Sequence, residues 1–411
     1  MRVLFQYCKI YLVLIFMYLL LGFIAYIIPS KVINKHIQKS VPQLTEQKCY
    51  PQAFILKKPF QMDNYTDALI LNQVYYLNTE NPLNSILLLP RYDEDPVDQT
   101  KSLQKACEQK HESNRTYGRY WHGSTFITKL LLLFGSYDTV RYLLYIITSL
   151  LFITCCFFLS KRTNIFFGLC FFVTYVLSNF FITQFSIQFA PTQILCFILT
   201  LLILKEKFNY KNSLAFFVIG SLVAYFDLLT TPLITLGIPL CIYILLFATN
   251  LETAFDKIKK ITCICIQWCA GYLFTWATKW GLATLLTNEN IFINAGNKIA
   301  ERTQTDDSFS RWNAITGNLD LLPIAYILLF VAIFLCIAIL FYKKNSILTS
   351  LFLLGIALFP YAWFFATANH SYMHYWFTYR TQMIFIFAVF CAITNCIDFD
   401  KFKEWFKNIK S

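Results

Sequence analysis

Apolar runs of roughly twenty residues recur along the whole chain, and short polar turns separate them. A run of this length is what a helix needs to cross the hydrocarbon core of a bilayer. Backbone groups in hydrocarbon need partners within the protein, and the alternation typical of a β-barrel is absent from the sequence, so we predict helical spans. The pattern predicts an all-α polytopic membrane protein with about ten transmembrane helices. The predicted spans are 11–29, 139–159, 164–182, 189–204, 212–230, 232–248, 262–284, 321–342, 346–366 and 376–395.

The composition agrees with this prediction. Of the 411 residues, 57% are hydrophobic and only 14% are charged, whereas a soluble domain is about a quarter charged. The net charge of +12 raises the question of a nucleic-acid partner. The lysines lie in short turns between the spans and form no continuous basic face, so we exclude nucleic-acid binding.

The turns carry an alternating charge pattern. Every second turn is basic, and the turns near 183–188, 231 and 367–375 contain no Lys or Arg. The basic positions are Lys161, Arg162, Lys205, Lys207, Lys211, Lys257, Lys259, Lys260, Lys343, Lys344, Lys401, Lys403, Lys407 and Lys410. Because cytoplasmic loops of membrane proteins are enriched in Lys and Arg, we predict that these turns and both termini are cytoplasmic.

This topology divides the chain into six parts. The first span (1–30) is followed by a large extracytoplasmic loop (31–138), spans two to seven (139–284), a second extracytoplasmic loop (285–320), spans eight to ten (321–395) and a basic cytoplasmic tail (396–411). The first run, Tyr11 to Pro29, is too long for a cleaved signal and has no small-residue exit, so we predict that it remains as an anchor.

The first extracytoplasmic loop contains the segment MDNYTDALILN, with Asp63 and Asp67 four residues apart. We predict that Asp63 caps a short helix over 65–77, with Leu69, Val74 and Leu77 on its apolar side and Asp67 in its first turn. A capped helix lying on the membrane and a carboxylate pair with a chemical role are both compatible with this spacing. The polar segment 93–114 is predicted to be a solvated loop.

The positions of the cysteines bear on whether the first outer loop lies in an oxidising compartment. Most of the fourteen cysteines lie inside predicted spans, where they act as small apolar residues. Cys49 and Cys107 lie in the first outer loop, where they form either a disulfide or two free thiols. No Cys or His cluster has the spacing of a zinc site, so we predict no structural metal.

Polar residues gather at the predicted outer ends of the spans, where charge near hydrocarbon is costly. Tryptophan and tyrosine beside Lys or Arg form ordinary interfacial belts, and a single histidine at a helix end is usually structural. A shared anionic ligand in one outer cavity accounts for the whole collection more economically. The candidate residues are Arg119, Tyr120, Trp121, His122, Asp227, Lys279, Arg311, His370, His374 and Arg380.

Carboxylates and cations together at a membrane surface suit a lipid phosphate that carries a sugar. Arginine, lysine and histidine can hold a phosphate. An aspartate can act as general base on an acceptor hydroxyl, and aromatic side chains such as Tyr65, Tyr120 and Trp121 suit sugar faces.

The layout resembles the GT-C-fold class of integral membrane glycosyltransferases, which use polyprenyl-phosphate sugar donors. MDNYTDAL stands where that class carries an acidic motif near the start of its first outer loop, although the adjacent acidic pair common in the class is replaced here by a spacing of four. The chain also resembles a group of bacterial membrane proteins with D-x-x-T-D-A, R-Y-W-H-G and F-T-Y-R segments.

The resemblance implies a transferase in the bacterial cytoplasmic membrane that moves a sugar from a polyprenyl phosphate to a glycan, lipid or protein acceptor. It implies Asp63 as the base, with Asp67 and Asp227 as alternates. Some members of the class use a divalent metal; nothing in this sequence indicates one, and no other cofactor is expected. The residues implied as ligands of the donor phosphate are Arg119, His122, Lys279, Arg311, His370, His374 and Arg380.

Three other functions are compatible with parts of the pattern. A polysaccharide polymerase or ligase also acts on lipid-linked sugars, but such proteins carry their large outer loop late in the chain. A transporter is disfavoured because no internal repeat is evident and the inner halves of the spans contain few ionisable residues. A non-catalytic assembly subunit is disfavoured by the number of polar residues at the outer ends.

Overall fold

The computed structural model describes residues 2–53, 58–109, 111–209, 213–247, 253–344 and 346–410. Every named element in these ranges is a helix, and the extended contacts within them are isolated bridges such as Arg91 with Arg115. The prediction of an all-α protein is confirmed.

The helices are numbered in chain order. The first seven are α1 (Arg2–Ile27), α2 (Ser30–Gln47), α3 (Asn64–Tyr76), α4 (Pro82–Leu88), α5 (Gln99–Gln109), α6 (Gly123–Leu131) and α7 (Tyr137–Arg162). The next are α8 (Ile165–Leu177), α9 (Phe180–Thr183), α10 (Ala190–Ile203), α11 (Leu214–Phe226), α12 (Ile234–Phe247), α13 (Ala254–Leu286), α14 (Ile291–Thr303) and α15 (Arg311–Leu319). The last are α16 (Ile324–Leu340), α17 (Ile347–Ala357), α18 (Phe359–Ala366), α19 (Ala368–Met373), α20 (Tyr375–Thr378), α21 (Met383–Thr394) and α22 (Phe399–Lys410).

Within the described ranges, five helical segments are long and apolar enough to cross a membrane: Leu4–Ile27, Tyr137–Arg162, Ala254–Leu286, Ile347–Ala366 and Tyr375–Thr394. A sixth is counted if α15 and α16, which meet at a bend of 74°, form one span. The chain is thus a multi-pass membrane protein by the length and composition of its helices. The other four predicted spans coincide with the shorter apolar helices α8, α10, α11 and α12.

Helices α10, α12 and α21 lie inside the molecule, whereas α1 and α8 keep much of their apolar surface exposed. Most side chains of these three inner helices are buried, and the helices pack on one another. Such all-round hydrophobicity suits a helix that is enclosed by other helices.

The closest helix pair is α11 with α13, and two glycines make it possible. A Cβ atom at Gly220 would overlap the carbonyl oxygen of Trp268, and one at Gly271 would overlap that of Phe217. Small residues at such contacts let two backbones approach closely, which increases van der Waals packing in a membrane. The contact fixes the middle of α13, which carries a row of large aromatic side chains.

The first outer loop is folded. Apolar side chains of α2, α3 and α5, including Ile37, Ile70 and Leu103, form one core with the start of α7. Helix α3 is buried on nearly all sides, which does not fit the alternative of a helix lying on the membrane with a single apolar face. Asn72 inside α3 exchanges hydrogen bonds with the backbone of Tyr92, at 2.8 and 3.1 Å. These bonds offset the free-energy cost of burying the Asn72 side chain.

The prediction of a solvated loop over 93–114 is also wrong. This segment contains α5, and Asp93 is buried in ion pairs with Arg91 at 3.1 Å and Arg115 at 3.5 Å. Cys49 and Cys107 are separate free thiols in the described structure, both buried, and the Cys49 thiol donates to Asp98 Oδ1 at 3.1 Å.

Three of the predicted cytoplasmic segments, near 166, 343 and 402, contact one another away from this loop. Phe402 of α22 packs on Phe166 and Phe341, and the backbone N–H of Lys343 donates to Cys396 O at 2.8 Å. The segment Tyr375–Thr394 connects the predicted outer turn near 370 with these segments. Its 20 residues span about 30 Å as a helix, which matches the hydrocarbon thickness of a bilayer.

Candidate functional site

A cavity of about 540 Å³ lies where the predicted outer segments meet. Its wall contains residues of both outer loops and of the short turns near 188, 228 and 370, so every segment predicted to face outwards contributes. Five of the predicted site residues line it: Asp63, Tyr65, Arg119, His370 and His374. The structure thus brings five of the thirteen predicted site residues into one cavity, and the other eight do not line it.

Asp63 is the residue directly before α3, and it lines the cavity. Its Oδ1 accepts a hydrogen bond from Thr66 N at 2.9 Å, which is the predicted N-cap. Burial raises the pKa of the Asp63 carboxyl to about 6, although the bond from Thr66 and the charge of Arg380 act in the opposite direction. A carboxylate with this pKa is a suitable proton acceptor near neutral pH.

Asp67 lies one turn further along α3, behind Asp63. Its carboxylate accepts hydrogen bonds from Tyr137 Oη at 2.7 Å, Ser186 Oγ at 3.1 Å and Ile187 N at 3.0 Å. Burial raises the pKa of Asp67 to about 7. These partners hold Asp67 outside the large cavity, in a position that joins α3 to α7 and to the segment before α10.

Three cations line one side of the cavity, namely Arg119, Lys298 and Arg302. The Arg119 guanidinium stacks on the ring of Tyr117 at 4.3 Å, and Arg302 donates to Tyr120 Oη at 2.7 Å. Lys298 is paired with the exposed Glu301. Arginines held in fixed orientation by stacking and hydrogen bonds are suited to binding a phosphate.

The cations on this side of the cavity act on the pKa of a nearby tyrosine. Burial alone would raise the pKa of Tyr117, but Arg119, Arg302 and Arg91 together hold it below its usual value. The same charges act on the nearby histidines. Burial, with Arg302 and Lys298, lowers the pKa of His374 to about 4, and burial with Arg302 and His374 takes that of His370 well below its usual range. Both rings are neutral at pH 7.

A second cavity of about 390 Å³ runs along α13 and is almost entirely apolar. Trp268, Tyr272, Trp276 and Trp280 follow one another at intervals of four residues along it, with ring centroids 5.1, 5.2 and 5.7 Å apart. We call this row the aromatic ladder. Its twelve-residue extent corresponds to about 18 Å along the helix axis. The groove opens on the apolar surface of the molecule, where its lining residue Leu273 is exposed.

The polar cavity and the apolar groove meet at the three cations. Arg119, Lys298 and Arg302 line both spaces. Among the described residues, Tyr272 Oη and Trp276 Nε1 in the groove have no hydrogen-bond partner, although buried polar atoms of folded proteins are usually satisfied. The arrangement suits a ligand with an apolar chain and an anionic head.

Several predicted ligands lie away from the cavity. Lys279 is fully buried, and its Nζ donates to Leu87 O at 2.8 Å. Trp121 Nε1 donates to Thr275 O at 2.7 Å, and His122 Nε2 lies 3.1 Å from Tyr117 O. Lys279 and Trp121 join the first outer loop to α13, and His122 forms its bond within that loop. Arg311 donates to the carbonyl oxygen of Phe365 in α18 and does not line the cavity.

Two further candidates do not line the cavity but hold segments next to it. Arg380 is buried and donates to Pro59 O at 2.9 Å and to Trp376 O at 3.2 Å. Asp227 accepts from Thr230 N at 3.0 Å and from Thr192 Oγ1 at 3.2 Å, and so holds the turn that follows α11. Leu228 of this turn lines the polar cavity and Leu229 lines the groove. Tyr120, also predicted, lines the groove as well as binding Arg302.

The sequence contained signals for most of the cavity and groove residues that we did not predict. Lys298 and Arg302 are four residues apart in a loop where outward-facing cations are disfavoured, which is the signal that selected Arg119. The aromatic ladder has the same period of four, so its side chains share one face of a helix. Gln188 gave no such signal, because a single glutamine in a polar turn is ordinary.

No family model, no curated protein and no solved structure matches this chain. In the part of the chain that the structure describes, no group of three or more His, Cys, Asp or Glu side chains has the arrangement of a metal site. The prediction about metal therefore stays a prediction.

Proposed function

We propose that the chain is a membrane glycosyltransferase whose donor is a sugar linked to a polyprenyl phosphate. The observation that carries this proposal is the junction of the apolar groove and the polar cavity at Arg119, Lys298 and Arg302. A polyprenyl phosphate has the same order of parts: an apolar chain, a phosphate and a polar sugar.

Each part of the donor has a fitting environment. The isoprenoid chain lies along the aromatic ladder and gains stability by removing apolar surface from water and headgroups. The phosphate binds between Arg119 and Arg302, which make charge-assisted hydrogen bonds with it. The sugar extends into the cavity, where Tyr50, Tyr65 and Trp376 form a cluster of aromatic faces with centroids 5.1 to 5.9 Å apart.

Asp63 acts as the general base in this proposal. It takes the proton from an acceptor hydroxyl as that oxygen forms a bond to the anomeric carbon. The bond between the anomeric carbon and the phosphate oxygen breaks, and the phosphate leaves with the electron pair. Arg119 and Arg302 stabilise the charge that develops on it. A single displacement inverts the anomeric configuration. The acceptor is a glycan, a lipid or a protein.

We also propose a topology for this enzyme. Helices α8, α10, α11 and α12 complete a membrane domain of about ten spans, in the GT-C-like order suggested by the sequence. The short length of α10 and α12 is acceptable because mainly other helices, rather than lipid, surround them, whereas α8 presents exposed apolar side chains to the lipid. The polar cavity faces the outside of a bacterial cytoplasmic membrane, and both termini face the cytoplasm.

The proposal is tested by sugar transfer from a defined donor. Purified protein in nanodiscs receives farnesyl phosphate linked to radiolabelled glucose, mannose or galactose, with envelope extract of the host as the source of acceptor. We expect transfer from at least one donor, and we expect Asp63→Asn to slow it by about a hundredfold or more.

Asp307→Asn is the matched control, because it makes the same change at an exposed position of the second outer loop. It should leave the rate unchanged. Failure of the wild-type protein to transfer any of the three sugars, or equal rates for the two variants, would refute the proposal.

A further inference from the structure

Two neutral polar side chains on the wall of the polar cavity are buried without complete hydrogen bonding. Gln188 is 4% exposed and His370 is 3% exposed. Gln188 Oε1 and His370 Nδ1 have no partner within the described residues. Buried polar atoms are normally satisfied by protein, water or ligand, so each of these two atoms still has bonding capacity for a group in the cavity.

The chemistry of His370 restricts what that ligand is. Its Nε2 lies 2.7 Å from Leu229 O and therefore carries the proton that the carbonyl accepts. The charged and titratable groups around it are Arg302, Lys298 and His374, and with burial they keep the ring neutral. Nδ1 is then a bare acceptor, which needs a donor. A phosphate oxygen has no proton to give, whereas a hydroxyl has one.

Gln188 is satisfied by the same group. A hydroxyl both donates and accepts, so it completes the bonding of the Gln188 amide whichever of the two amide atoms faces the cavity. Asp63 lines the same wall, and Leu229, which accepts from His370, lines the groove beside the three cations. The unpaired atoms therefore belong to residues that line the same cavity as the candidate base and the three cations.

We propose that Gln188 and His370 bind hydroxyl groups of the donor sugar and orient the ring between the phosphate site and Asp63. This inference rests on the proposed function and deepens it, because it assigns the recognition of the sugar to two residues that do not bind the phosphate.

The test compares farnesyl phosphate with three derivatives that carry a sugar on the phosphate. Binding to the protein in nanodiscs is followed by the quenching of tryptophan fluorescence, with farnesyl phosphate and with its glucosyl, mannosyl and galactosyl derivatives as probes. The wild-type protein should bind at least one glycosylated probe tenfold or more tightly than farnesyl phosphate. Gln188→Leu should remove most of that advantage and leave the affinity for farnesyl phosphate unchanged.

A second variant and a control complete the design. Gln188→Met removes the amide with a different side-chain shape and should behave as Gln188→Leu does. Gln304→Leu makes the same change at an exposed position of the second outer loop and should leave both affinities unchanged. His370→Phe should also remove the sugar advantage, but it breaks the bond to Leu229 O as well.

The outcomes separate the two proposals. If wild-type protein binds farnesyl phosphate and the sugar adds no affinity, or if the Gln188 variants weaken all probes equally, the assignment of Gln188 and His370 is overturned and the phosphate site stands. If wild-type protein binds none of the probes, the proposed function itself fails, and this inference fails with it.

Discussion

At the scale of single residues, the two aspartates of α3 differ in what surrounds them. Asp63 caps the helix and Asp67 lies in its first turn, as predicted. Asp63 lines the cavity, while Asp67 is held by Tyr137, Ser186 and Ile187. The sequence predicts the cap at Asp63. It could not predict which carboxylate reaches the cavity, because the partners of Asp67 are 70 to 120 residues away in the chain.

The state of Asp63 predicts how activity depends on pH. Its pKa of about 6 means that the carboxylate, which is the form able to accept a proton, predominates above pH 6. The rate of sugar transfer should therefore rise about tenfold per pH unit below pH 6 and level off above it. A profile of kcat/KM between pH 4.5 and 8 checks this. A rate that is flat from pH 5 to 8 would contradict the role of Asp63 as base.

At the scale of elements, α13 shows how one helix can carry both packing and binding. One set of positions, including Gly271, lies against α11, while the aromatic ladder faces the groove. The sequence predicts a span here from its hydrophobicity. Lys279 was assigned to the site because cations are disfavoured on the outer side of a membrane, but it points to the first outer loop, where carbonyl oxygens of α4 accept from it. The facing direction depends on how α4 packs, which the local sequence does not specify.

The contact between α11 and α13 predicts that alanine changes stability differently at two glycines of α13. In Gly271→Ala the new Cβ overlaps the backbone of Phe217, so we expect the free energy of unfolding to fall by about 1–3 kcal/mol. In Gly281→Ala the new Cβ meets nothing within 4 Å. Alanine is also the better helix former, so stability should be unchanged or slightly higher. Thermal unfolding in detergent compares the two variants, and equal destabilisation would contradict the account of the α11–α13 contact.

At the scale of the whole molecule, the cavity is built from segments that are distant in the sequence. Charge alternation assigned all of them to one side, and the structure brings them to one end of the helices. The number of membrane-capable helices, five or six in the described ranges, is lower than the ten predicted runs. Hydropathy detects apolar length, but it does not distinguish a lipid-facing span from a short helix enclosed by others.

The sidedness of the molecule is a separate prediction. Val97→Cys places a thiol on an exposed part of the first outer loop, and Lys407→Cys places one on the basic tail. In intact bacterial cells, a membrane-impermeant maleimide should label the first and spare the second, with the wild-type chain as background for the native cysteines. Labelling of Lys407→Cys alone would reverse the proposed orientation.

The central claim is that the junction of groove and cavity binds a lipid phosphate. The most direct measurement is the affinity of the protein in nanodiscs for farnesyl phosphate, for farnesol and for inorganic phosphate. We expect farnesyl phosphate to bind much more tightly than either part. Arg302→Gln should weaken it by about tenfold or more, which corresponds to one charge-assisted hydrogen bond. Arg311→Gln, which changes an arginine outside the cavity, should have no effect. Equal affinities for farnesyl phosphate and farnesol would contradict the account.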